Sequence, residues 1–248
     1  YNITVTVRDG RGGQDSRTTS MKAVQEPVPT QGLLGFYPFE GNTRDESGNN
    51  FDGILMGSSQ VLDGTLDIGD NATERVFLPH QMVDGLTDFT IAAWLKIDVV
   101  HVGNLNTVLS GANGSTHNAF SFWYSRESTS GGIYNKTWRI ILSGAGYSFA
   151  VNDVIEDQGW HHVAVKRDGA FAYLYIDGTQ VGSAIAVTPA TVSVASGGLF
   201  LGQEQDAIGG SFSAAQSWAG EMDNVRFYNR SLSTDEIGAL FREPISDN

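Results

Sequence analysis

From Leu33 to Phe241, Gly, Asn and Asp clusters interrupt the chain about every eight to twelve residues. The segments between them are short, rich in β-branched and aromatic residues, and alternate apolar with polar. That rhythm constrains the fold more than any other feature, because such strands bury a face only by packing sheet on sheet. Phe89–Ile97 (FTIAAWLKI) shows it most clearly. Strands are also expected over Leu34–Phe39, Phe51–Leu55, Gly64–Ile68, Arg75–Leu78, Thr107–Ser110 and Ala119–Tyr124. More follow over Trp138–Leu142, Trp160–Arg167, Ala172–Ile176 (with Asp177-Gly178 as a hairpin turn) and Leu199–Gly202. Helical periodicity is nearly absent. One short C-terminal helix is expected after Ser233, where Glu236 completes a capping box. The expected class is all-β, a two-sheet antiparallel sandwich.

Upstream, residues 1–26 read as a hairpin. Tyr1–Arg8 alternates, Asp9–Gly13 turns, and Arg17–Val24 returns. Pro27 and Pro29 stiffen a linker over residues 27–32, residues 33–243 form the main domain, and residues 244–248 are a tail. The chain begins at Tyr1, mid-strand and without a leader, and is expected to be a piece of a longer polypeptide. At 248 residues and 40% hydrophobic, it can bury a substantial core. Fifteen basic against 28 acidic residues give −13, which argues against nucleic acid or an anionic membrane surface as partner. No apolar run approaches the ~20 residues of a membrane span, so no membrane insertion is expected. The absence of cysteine excludes a disulfide-stapled scaffold.

Leu201–Trp218 (LGQEQDAIGGSFSAAQSW) carries the most chemistry. In an extended chain, Glu204 and Asp206 project the same way, with the Gln205 carbonyl between them. Gly209-Gly210 lets the chain turn, and Gln216 returns another side-chain oxygen. Two carboxylates, a carbonyl and an amide form the oxygen-rich set that a hard cation such as calcium requires. On spacing alone, a solvated acidic loop explains these residues equally well.

The run Leu-Gly-Gln-Glu-Gln-Asp, followed by Gly-Gly-x-Phe and Gln-Ser, resembles the calcium loop of the pentraxins. These belong to the wider laminin-G/concanavalin A-like superfamily. The likeness continues through Gly220–Tyr228 and Leu232–Ile237, and the opening Phe39-Glu40-Gly41-Asn42 phrase resembles bacterial laminin-G-like modules. It implies a jelly-roll sandwich and calcium ligands at Glu204, Gln205, Asp206 and Gln216. Two departures stand out. Ser213 occupies a position that is a glutamate ligand in typical pentraxins, and an Asp-Asn pair is matched by His117-Asn118. Asn118 therefore fits and the aspartate does not, so one calcium ion is implied rather than two.

Glu221-Met222-Asp223 invites a glycoside-hydrolase reading, because jelly-roll glucanases carry a Glu-x-Asp-x-x-Glu strand. The third position here is Arg226, which cannot donate a proton at neutral pH. No enzyme is expected. His161 and His162, adjacent on a strand, face opposite ways and cannot share an ion. Asp45 with Asp223 is a weaker candidate for a structural ion. The five tryptophans are core candidates, although Phe122 or Trp123, close after Asn118, could stack on a sugar. His117 and Ser213 are further candidate ligand contacts. The expectation is a calcium-dependent, lectin-like module binding a glycan on a cell surface or matrix. It would sit among neighbouring domains of a secreted or surface-anchored bacterial adhesin. A structural or protein-docking calcium module is the alternative.

Overall fold

The alternation in Phe89–Ile97 resolves into two buried faces. Phe89, Ile91, Ala93, Leu95 and Ile97 enter the main core, while Ala92 joins a second cluster on the opposite side. A strand apolar on both faces lies between two layers. The computed structural model describes residues 2–20, 26–98, 105–128, 134–151, 155–188 and 190–245. Expectations for Met21–Val24, His101 and residues 246–248 fall outside these.

In chain order the strands begin β1 Asn2–Arg8, β2 Gln14–Ser20, β3 Leu33–Tyr37, β4 Ile54–Met56, β5 Gln60–Leu62 and β6 Thr65–Ile68. Next come β7 Arg75–Phe77, β8 Phe89–Ile97, β9 Leu105–Gly111, β10 Phe120–Ser128, β11 Tyr134–Leu142 and β12 Ala145–Ala150. The last are β13 His161–Asp168, β14 Phe171–Ile176, β15 Thr179–Ala186, β16 Leu199–Leu201 and β17 Gly220–Tyr228, followed by helix α1 Thr234–Phe241. One sheet runs β12-β11-β10-β9-β16-β7-β4. The other runs β15-β14-β13-β8-β17-β6-β5, with β3 also on β17. All pairings are antiparallel, as expected. The strands β5 and β12 are additional to those expected, and β15 is the returning strand of the hairpin turned at Asp177-Gly178.

The core lies between the sheets. Phe89 meets Phe120 edge-on at 5.1 Å, and Trp138 stacks on Phe122 at 4.8 Å. The outer face of the eight-stranded sheet is closed by α1. There Ala92, Ala164, Tyr175, Tyr228, Leu232, Ile237 and Leu240 form the second cluster. The capping box is present: Ser233 Oγ accepts from the Glu236 amide, and Glu236 Oε2 accepts from the Ser233 amide at 2.8 Å.

The stiff linker expected over residues 27–32 lies against the main domain: Pro29 is buried and its carbonyl accepts from Tyr228 Oη at 3.0 Å, while Val28 packs on the second cluster. Two other expectations are corrected. Asp45 is not poised for an ion, since the amides of Phe36, Ser47 and Phe51 and the Ser47 hydroxyl all donate to it. The returning strand of the hairpin starts at Gln14 rather than Arg17. β1 and β2 form their own two-stranded sheet, which leaves Val5 and Val7 exposed.

His161, at the start of β13, is clamped between two carboxylates: Nδ1 lies 2.8 Å from Asp177 and Nε2 3.0 Å from Asp157. Carboxylates only accept, so both ring nitrogens must donate and the imidazolium is favoured. Burial pulls the pKa down, but the two acids outweigh it and the pKa is raised. The clamp therefore contributes fully below the unfolded value of about 6.5 and fades as pH rises through the higher folded value. Thermal melts across that range should show wild-type stability falling relative to His161→Gln. Parallel profiles would contradict the clamp.

Candidate metal-binding loop

Gly202 starts the loop. It turns out of β16 at φ +80°, where any side chain would be strained and a Cβ would press on Ile68. Two arms then face each other. Gln203 bridges Ser217, and the Trp218 amide donates to the Gly202 carbonyl at 2.9 Å. The tip closes with reciprocal bonds between Ala207 and Gly210. The last arm begins in a single 3-10 turn, Ala214–Gln216.

Side chains along the first arm alternate. Gln203 and Gln205 turn inward as anchors. Gln203 Nε2 donates to the Ser213 carbonyl at 2.7 Å, tying arm to arm. Gln205 Nε2 donates to the Gly198 carbonyl at 2.9 Å, and its Oε1 accepts from the Gly209 amide at 2.9 Å, pinning the loop to the sheet and the tip to the arm. None of the described backbone hydrogen bonds ends on the Gln205 carbonyl. Glu204 and Asp206 occupy the alternate positions, as period two requires. Asp206 is exposed, whereas Glu204 is only 1% exposed.

Both Glu204 carboxylate oxygens are buried without a protein hydrogen-bond partner, and so is Gln216 Oε1. The pKa of Glu204 is pushed up to about 7, first by burial and then by the Asp206 charge. Asn118 lies close enough to oppose that shift, though without a hydrogen bond of normal geometry to either oxygen. The structure thus gathers Glu204, Asp206 and Asn118 from two separate loops. The antiparallel Gln203–Ser217 bridge sets Gln216 opposite Glu204 on the facing arm. Among the described residues no three acids or histidines converge, so two carboxylates would act with amide and carbonyl oxygens. An unsatisfied buried carboxylate costs about 1–3 kcal/mol or more. A hard cation is what these orphaned oxygens fit.

The other candidates separate. His117 is exposed beside Asn118, and Ser213 is half-exposed. The stacking expectation is corrected. Phe122 lies inside the core against Trp138, and Trp123, though on the outer face, is buried with the Arg139 guanidinium 5.9 Å from its ring centroid. Sequence reading missed Gln203 and Gln205 as anchors. The period-two logic that paired Glu204 with Asp206 contained that signal too. A separate cleft of about 310 Å³ lies where β6, β8 and β17 meet, lined by Asp67, Asp98, Gly220 and Glu221.

A family model described as the concanavalin A-like lectin/glucanases superfamily matches residues 70–238. Neuronal pentraxin-1 from Homo sapiens is 41% identical over 87 residues, 34% of this chain and 20% of that protein. The chain thus matches about a fifth of the length of that curated relative. A native heptameric SAP-like pentraxin from Limulus polyphemus superposes with a TM-score of 0.53 at 22% identity, covering 63% of this chain and 70% of that one. Domain 4 of the extracellular arabinanase AbnA from Geobacillus stearothermophilus, solved in complex with arabinotriose, gives 0.57 at 19% identity, covering 85% and 98%. Both structural likenesses show the fold alone.

Proposed function

The chain belongs to the concanavalin A-like lectin/glucanases superfamily, and on that footing we propose that it is a calcium-dependent carbohydrate-binding module. It would serve a longer secreted or surface-anchored protein. The supporting observation is the pair of unpartnered, buried Glu204 oxygens facing Asp206 and Asn118. The side chains of Glu204, Asp206, Asn118 and Gln216 and the Gln205 carbonyl would hold one calcium ion. Calcium, when bound, supplies a divalent charge whose open positions accept vicinal hydroxyls. Asp206 and His117, which are exposed, and Ser213, which is half-exposed, would make direct polar contacts to a glycan on a cell surface or matrix. Gln203 and Gln205 keep the loop in place.

A non-enzymatic reading is supported by the fate of the Glu-x-Asp strand. Asp223 is fully buried and accepts from the Asn224 amide, and Glu221 is paired with Lys96 at 2.7 Å. Arg226, where an acid would be needed, is buried and bonded to Glu243 at 2.7 Å. Among the described residues no helix is long and apolar enough to cross a membrane.

A glycan array probed with calcium and again with chelator tests the proposal. Binding is expected only with calcium, and glycan binding that survives chelation would overturn the mechanism. Calcium-dependent stabilisation with no glycan bound would favour a structural or protein-docking module.

A further inference from the structure

We infer that Arg75 and Phe212 form a plug that sets the distance between the two arms of the metal loop, a conclusion that rests on the calcium reading above. Arg75 lies on β7, whose neighbours Val76 and Phe77 pair with Leu201 and Phe200 of β16, the strand that leads into the loop. Its guanidinium carbon sits 3.8 Å from the Phe212 ring centroid and 5.5 Å from that of Phe200. Phe212 in turn meets Phe200 edge-on at 5.4 Å. Nη1 is fixed by the Thr73 carbonyl at 2.8 Å, while Nε is buried without a hydrogen-bond partner.

No carboxylate pairs with Arg75 among the described residues. This half-buried guanidinium, without a counterion, is compensated by the Thr73 carbonyl and by the aromatic faces around it, so its hold on Phe212 depends on a π surface. Phe212 directly precedes Ser213, whose carbonyl receives Gln203 Nε2, and the 3-10 turn that ends on Gln216. Moving the ring therefore shifts the Gln216 arm against the arm bearing Glu204 and Asp206. Neither Arg75 nor Phe212 would touch the ion; both are positioning residues.

The experiment is a calorimetric calcium titration of the whole chain as wild type, Phe212→Leu, Phe212→Tyr and Arg75→Met. Each protein is also melted without metal, and amide exchange is followed at Gly209 and Gly210. Phe212→Leu and Arg75→Met are expected to weaken calcium binding about threefold to thirtyfold and to speed tip exchange. Phe212→Tyr, which keeps the π face, should stay near wild type. If Phe212→Leu and Arg75→Met both bind calcium as wild type does, the plug is refuted and the calcium site stands. A wild type that takes up no calcium refutes both. Loss of binding only alongside a collapsed metal-free melt in both variants would mean general packing, and would also overturn the inference.

Discussion

Glu204→Gln is expected to abolish the stabilisation by calcium that the proposed site implies, and at the same time to stabilise the metal-free form at neutral pH. Those opposite signs follow from one geometry. Glu204 holds two buried oxygens without protein partners, beside Asp206, and its pKa is pushed up to about 7. The isosteric amide removes the charge and its repulsion from Asp206, although its own polar atoms still lack partners. The metal-free gain should therefore be about 1 kcal/mol. The same change leaves the loop a single carboxylate, Asp206, for a divalent ion. Calcium at about a hundredfold over its Kd should stabilise wild type by ~2.7 kcal/mol through mass action, and the variant by nothing measurable. Melts with and without calcium read both effects. A variant whose melting temperature still climbs with calcium would remove Glu204 from the site.

The second large effect is expected at Trp138→Ala. Trp138 is fully buried, stacked on Phe122 at 4.8 Å, 5.5 Å from Tyr124 and 6.3 Å from Trp218. Removing it empties the centre of the sandwich and should cost about 3–5 kcal/mol, a large share of the ~5–15 kcal/mol typical of a domain. Trp218 loses a stacking partner, and its amide closes the base of the metal loop on Gly202. Calcium affinity should therefore fall as well, although Trp138 belongs to no loop. Trp123→Ala is the control: its ring is also buried but lies on the outer face near Arg139, so its loss should destabilise the fold without lowering calcium affinity. Calcium titration distinguishes the two, and an equal loss of affinity would contradict the assigned faces.

That contrast marks where sequence reading stopped. Phe122 and Trp123 are consecutive aromatics on one strand, and period two says only that they face opposite ways. Which one faces the core depends on register, and the β9–β10 pairing slips between these two residues. The linker shows the same limit. Two prolines predict stiff, extended backbone, but not that Pro29 is buried or that its carbonyl accepts from Tyr228, about 200 positions away.

What the sequence determined by itself was whatever depends on neighbours along the chain. This includes the alternating strands and the Ser233 capping box, which follow from backbone geometry over a few residues. Only the tertiary structure decided that Glu204 is buried with both oxygens unpartnered, that Asn118 arrives beside it, and that Arg75 grips Phe212 across 137 positions. Burial and non-local proximity are set by how two sheets pack, and a short window of sequence contains no term for the layer that will cover it.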